Sequence, residues 1–150
     1  MDPADITPRP CYIAAGLEVL GERWSLLALR ELVLGTHRFD AIARNTGASR
    51  DILTDRLRTL EREGVIERAA YSEHPPRFEY HLTEAGREVA PILVELAAWG
   101  RRWRQDDTPR MTYAHSCGAL LAPRLHCAEC GETMDADSVV PGRFTSATLR

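Results

Sequence analysis

The chain contains no lysine; all 19 of its basic residues are arginine. That excludes Schiff-base chemistry and a phosphate-binding P-loop, both of which need a lysine amine. Long apolar runs are missing as well, since nothing approaches the roughly 18 residues of a membrane-spanning helix. The opening MDPADITPRP is polar and has no apolar segment of the kind a secretory leader needs. The chain is therefore expected in the cytoplasm, without membrane contact. Cysteine is sparse, four in 150 residues. In a reducing compartment these are expected to be reduced, metal-bound or redox-active instead of forming structural disulfides. No charge sign dominates either: 19 basic against 22 acidic residues leave −3. This excludes a polybasic coat protein but not a local nucleic-acid-binding patch. There is no nucleophile elbow, Gly-rich phosphate loop or HExxH pair, and His37, His74 and His81 stand isolated, so no enzyme is expected.

What is present divides into four parts. Residues 1–10 hold three prolines and are expected to form a flexible arm. Residues 11–104 are dense in periodic apolar positions and form the main domain. Residues 105–115 turn polar and read as a linker. Residues 116–150 carry three of the four cysteines and form a small appendage.

In the main domain Ile13, Leu17 and Leu20 line one face of a short helix that Gly21 ends. A second helix starts near Arg23. Trp24, Leu27, Ala28 and Leu32 line it, with Leu26, Leu29 and Val33 on its flank, so it is expected to be central and largely buried. Phe39, Ile42 and Ala43 mark a third helix ending at Gly47. Ser49 is the expected N-cap of a fourth, which runs to Gly64. Its inner face carries Ile52, Leu53, Leu57 and Leu60. Arg56 also falls there, and is expected to lay its stem on the core and pair its head with a carboxylate. VIERAAY (65–71) and FEYHL (78–82) predict a β-hairpin around the turn SEHPPR (72–77). Thr83 can cap one long last helix with a heptad-like seam of Val89, Leu93, Leu96, Gly100 and Trp103.

Two helices meeting across a short turn, followed by a hairpin, are the order of a winged helix-turn-helix. The fold class is thus mainly α with a β-hairpin wing (α+β), plus the Cys-containing appendage. A helix fits the major groove if its outer face carries hydrogen-bonding side chains. Ser49, Arg50, Asp51, Thr54 and Arg58 supply that face, and His74 and Arg77 offer a hairpin tip to nearby phosphates or the minor groove. From Thr36 to Thr83 there are eight arginines and eight acidic residues, so placement must create any positive face.

The stretch from Cys11 to Gly100 resembles the HxlR-type (MarR-like) bacterial transcriptional regulators. The resemblance rests on Cys11, GERWSLLALREL (21–32), RF (38–39), LTDRLRTLEREGVIER (53–68), PPRFEYHLTEAG (75–86) and Trp99-Gly100. It implies a homodimer built from the first and last helices on a palindromic promoter site, and a repressor is the expected direction of control. Leu17, Leu93, Leu96, Trp99 and Trp103 are the expected dimer residues, more apolar surface than an end helix buries alone. Cys11 matches a position that several members use to sense quinones, aldehydes or oxidants. A helix N-terminus favours thiolate there, with Arg9 nearby. The alternatives are release by a small aromatic effector bound near Trp24, Tyr12 and Trp99, or a winged helix that binds protein.

In the appendage, His115-x-Cys117 and Cys127-x-x-Cys130 supply four ligands, a possible Cys3His set for Zn2+. Gly118 and Gly131 follow a cysteine in each half, and His126 is a competing nitrogen. The alternative is a metal-free, degenerate ribbon. A thioredoxin-like role is not expected, because this CxxC does not open a helix after a strand.

Overall fold

The structure is a computed structural model that describes residues 8–142. Most of the N-terminal arm (1–7) and the end of the appendage (143–150) lie outside the described residues. The main domain runs α1 (Tyr12–Leu20), α2 (Arg23–Val33), α3 (Phe39–Thr46), α4 (Arg50–Arg62), β1 (Ile66–Glu73), β2 (Pro76–Leu82), α5 (Glu84–Arg87) and α6 (Ala90–Trp103).

One core joins these elements. Ala28, Leu29 and Leu32 of α2 meet Ile42 of α3 and Leu53, Leu57 and Leu60 of α4, with Val65, Ile66 and Val89 closing the far side. Each large aliphatic side chain taken from water contributes about 1.5–3 kcal/mol, so this cluster fixes how α3 and α4 sit on α2. The buried stripe of α2 is turned from the one its apolar spacing predicts. Ser25 and Glu31 are buried, whereas Val33 is exposed. Ile52, expected inside, is exposed too, because the inner face of α4 centres on Leu53, Leu57 and Leu60.

The hairpin is longer than its sequence pattern predicts. β1 and β2 pair antiparallel from Ile66↔Leu82 to Glu73↔Pro76, so the strands take up most of the expected turn and leave His74 and Pro75 at the tip, joined by a cis peptide. Its root is tied to the helices. The Tyr80 N–H donates to the His37 carbonyl at 2.9 Å, and His37 Nδ1 lies 2.9 Å from the Tyr80 carbonyl. A carbonyl only accepts, so that ring nitrogen carries the proton. Arg38 bridges to Glu79 alongside, which extends the wing by a short third segment.

The predicted single last helix is broken. Pro91 has no N–H for the carbonyl four residues back, so Thr83 caps only the short α5, through its Oγ1 to the Gly86 N–H, and α6 starts anew at Ala90. The predicted seam splits with it. Val89 and Leu93 pack on the core, while Leu96 and Trp103 stay open.

Candidate nucleic-acid interface

The turn between α3 and α4 is set by local chemistry. Gly47 adopts φ +77, a left-handed conformation that costs other residues steric strain. Thr46 Oγ1 donates to the Ile42 carbonyl at 2.7 Å and accepts the Ala48 N–H at 3.3 Å. Ser49 caps α4 by accepting the Ile52 N–H at 3.3 Å. The outer face of α4 then presents Arg50, Asp51, Asp55, Arg58 and Arg62 to solvent, with Thr54 half-buried among them. His74 and Arg77 are exposed at the far end of the hairpin. Each predicted DNA-facing residue is thus on the outer surface, in two groups on separate elements.

Ion pairing sorts the arginines of this module. Arg38 pairs with Glu79, Arg50 with Asp40, Arg62 with Glu63 and Arg68 with Glu61. Arg56, half-buried on α4, is held by Asp55 and Glu22, the carboxylate pairing expected of it. Arg50 also stacks on Phe39. Among the described residues, Arg44, Arg58 and Arg77 make no ion pair. Arg44 escapes sequence reasoning. Its signal is its place in the last turn of α3, the helix preceding the recognition helix. Tyr80, at the hairpin root, has its hydroxyl pKa raised by burial, against the pull of Arg68.

Glu31 also escapes a purely apolar reading of α2. Its buried carboxylate accepts from Arg30 Nε at 2.9 Å and Asn45 Nδ2 at 2.7 Å, latching the end of α3 to α2. Its helical position, three residues after Ala28 on the inner face, is the signal that would find it.

Away from the helix-turn-helix, α1 and α6 carry open apolar side chains. Tyr12, Ile13 and Leu17 on α1 and Ile92, Leu96, Trp99 and Trp103 on α6 are all at least half exposed. Of the expected dimer residues, only Leu93 is turned toward the core. Trp24 packs against the core under Arg23, whereas Tyr12 and Trp99 are open. Cys11 is exposed at the N-cap of α1, where its sulfur accepts the Ala14 N–H at 3.4 Å.

The appendage folds as two knuckles, the first opening at Tyr113, inside the stretch expected to be linker. The backbone bonds correspond. His115 and Cys127 each donate an N–H across a turn, to Ala119 and Glu132, and each accepts from a glycine, Gly118 and Gly131. Both glycines have positive φ. The Cys127 thiol pKa is lowered by the backbone N–H groups of Cys130 and Glu129 and by the Cys130 side chain. The first knuckle is one residue shorter, and His115 Nδ1 is taken up by the Cys117 N–H at 3.2 Å. His126 Nδ1 faces the Gly131 carbonyl of its own knuckle. Among the described residues no three His, Cys, Asp or Glu side chains gather closely enough to hold a metal ion.

A helix-turn-helix on a central helix, flanked by a β-hairpin, defines a winged-helix DNA-binding protein. Residues 19–108 match the model of the HxlR-like helix-turn-helix family. The chain belongs to that family, whose members are DNA-binding transcriptional regulators and not enzymes. An uncharacterised HTH-type transcriptional regulator of Mycobacterium tuberculosis (strain H37Rv) is 44% identical over 131 residues, 86% of this chain and 83% of that protein. Among solved structures, PA1607, described as a candidate transcription factor, is 29% identical with a TM-score of 0.78, over 91% of this chain and 97% of its own. HypR, a redox regulator in its oxidised form, is 32% identical with a TM-score of 0.58, over 64% of this chain and 100% of its own. No helix among the described residues is long and apolar enough to cross a membrane.

Proposed function

We propose that this transcriptional regulator works as a homodimeric repressor on a palindromic promoter site. Its signal is thiol oxidation at Cys11. The observation that carries the dimer is the open apolar surface of α1 and α6, where Trp99 and Trp103 are 56% and 66% exposed. An apolar surface of that kind favours association. Two α4 helices would then enter successive major grooves about 34 Å apart, one helical turn. Ser49, Arg50, Asp51, Thr54 and Arg58 face the bases and adjoining phosphates, and His74 and Arg77 reach the flanking backbone.

Cys11 begins α1, a helix of the pairing surface, so chemistry there bears on the spacing of the recognition helices. Two Cys11 thiols, one per protomer, lose two protons and two electrons to form a disulfide. A peroxide takes these up as it is reduced to water. Likeness to HypR, a redox regulator, supports this signal.

The test is affinity for DNA upstream of the protein's own gene, measured on reduced and peroxide-treated protein, with sedimentation of the free protein alongside. Loss of binding on oxidation, prevented by Cys11→Ser, is the expected result. Tight binding indifferent to peroxide overturns the signal. A monomer in sedimentation overturns the dimer.

A further inference from the structure

Helix α6 has three sides. Val89 and Leu93, at its start, meet the core, and Ile92, Leu96, Trp99 and Trp103 are open. The third side, through Pro91, Val94, Glu95, Ala98, Arg101 and Arg102, faces the appendage across a cleft. Two open hollows of about 380 and 420 Å³ lie in that cleft and share Glu95, Pro123, Arg124 and Leu125 as walls. Their chemistry differs. One end is walled by Pro91, Val94, Leu121, Pro123 and Leu125, with His115 at its edge. The other is lined by Arg101, Arg102 and Arg124 together with Ala98, Ala122, Thr133 and Met134. None of these three guanidiniums makes an ion pair among the described residues, although Glu95 lines the same cleft.

We propose that this cleft binds a small amphipathic organic anion, an aryl or alkyl carboxylate, with its apolar body against Val94, Leu121 and Leu125 and its carboxylate among Arg101, Arg102 and Arg124. Three cations against one carboxylate leave the basic end net positive, and guanidinium forks match carboxylate geometry. The adjoining apolar end selects an anion with a hydrocarbon body over inorganic phosphate or a nucleic-acid backbone. Most pockets for small ligands have this form, apolar walls with a few convergent polar groups. The far wall of the cleft is the appendage, and no residue there is buried. A ligand wedged between it and α6 therefore bridges two parts that share little core. The bound anion bears on the helix whose other side carries Trp99 and Trp103, which gives it a route to the pairing surface. That consequence rests on the dimeric regulator reading; the binding itself does not.

Titration calorimetry of the full chain with 6-phenylhexanoate, and with 6-phenylhexan-1-ol as its uncharged counterpart, tests the site. The acid is expected to bind at least tenfold more tightly than the alcohol, about 1.4 kcal/mol. In Arg102→Gln/Arg124→Gln that gap closes while the alcohol still binds. In Val94→Asp/Leu121→Asp neither binds. The substituted arginines are exposed, and an unchanged circular dichroism melt confirms that each variant is folded. Equal affinity for acid and alcohol, a gap that survives the arginine changes, or no binding of the acid overturns the proposal. Since calorimetry needs no DNA, a protein that binds the acid but no promoter DNA leaves the site standing and removes the regulatory reading.

Discussion

Glu31→Ala should cost this fold more than any other single charge removal in the helix-turn-helix. Glu31 is 3% exposed, and its carboxylate sits between Arg30 and Asn45. Arg30 Nη2 also donates to the Asn45 backbone carbonyl at 3.2 Å, so three groups share one latch across α2 and α3. A hydrogen bond to a charged group contributes about 1.5–3 kcal/mol. The Arg30 side chain is 26% exposed, so water partly replaces that interaction when the carboxylate is gone. Asn45 loses its acceptor, and the buried carboxylate's own desolvation cost is recovered. The net loss is about 2–3 kcal/mol, which lowers the melting temperature by roughly 5–10 °C for a chain of this size. Glu31→Gln keeps the shape but turns an amide N–H toward a donor, and should lose about half as much. Thermal and urea denaturation of Glu31→Ala, Asn45→Ala and the double variant give the coupling, expected at about 1 kcal/mol. A Glu31→Ala melt within 1 °C of the parent (roughly 0.3 kcal/mol by the same scaling), or zero coupling in the cycle, would refute the latch.

Ser25 Oγ is buried without a hydrogen-bond partner among the described residues. Ser25→Ala should therefore stabilise the protein by about 1 kcal/mol, and a lower urea midpoint would contradict this. Gly86→Ala places a Cβ 2.2 Å from the Val65 carbonyl oxygen, which also accepts from Thr83 Oγ1 at 2.9 Å. The backbone must move, and the loss should be about 2 kcal/mol or more by chemical denaturation; a neutral result means that the two backbones approach less tightly in solution. For DNA, Arg58→Ala should weaken binding about tenfold and reduce the salt slope by roughly 0.9 for each phosphate the side chain had neutralised. Arg62→Ala, whose charge is already matched by Glu63, should stay within about twofold, a few tenths of a kcal/mol. Equal effects of the two, in anisotropy titrations over a range of salt, would show that ion pairing does not rank these arginines.

Much of the scaffold is legible in the sequence because its signals are local. Ser49 as cap, Gly47 as the reversal and Leu53, Leu57 and Leu60 as the inner face all follow from spacing within one helix. The misplacements have local causes too. Pro91 sits inside an otherwise unbroken apolar pattern, and the pattern hides the missing N–H that divides α5 from α6. The strands of the hairpin extend into a segment whose two prolines read as turn, pairing as far as Glu73↔Pro76. The candidate site is less legible. Which arginines are free depends on pairs such as Arg50–Asp40 and Arg38–Glu79, whose members lie on different elements. In the appendage the ligand spacing is visible. The one-residue shortening of the first knuckle and the use of His115 Nδ1 by its neighbour are not.

The same pairing explains how a locally neutral module can face a polyanion. Eight arginines and eight acidic residues cancel over 36–83, but charges farther apart than about 8 Å are largely screened at physiological salt. What DNA meets is therefore the local arrangement. Pairs such as Arg62–Glu63 and Arg68–Glu61 are nearly silent at that range. Arg44 on α3, Arg58 on α4 and Arg77 on the hairpin keep their charge available for phosphates, one on each element of the interface. Asp51, in the first turn of α4, makes no ion pair among the described residues. A carboxylate there opposes phosphate, yet it can accept a hydrogen bond from a cytosine amino group in the major groove. If α4 enters the major groove as proposed, the three arginines supply affinity without regard to sequence, while Asp51 makes close approach conditional on the base it meets. On that proposal, neutrality would hold back non-specific binding and leave the operator distinguishable from other DNA.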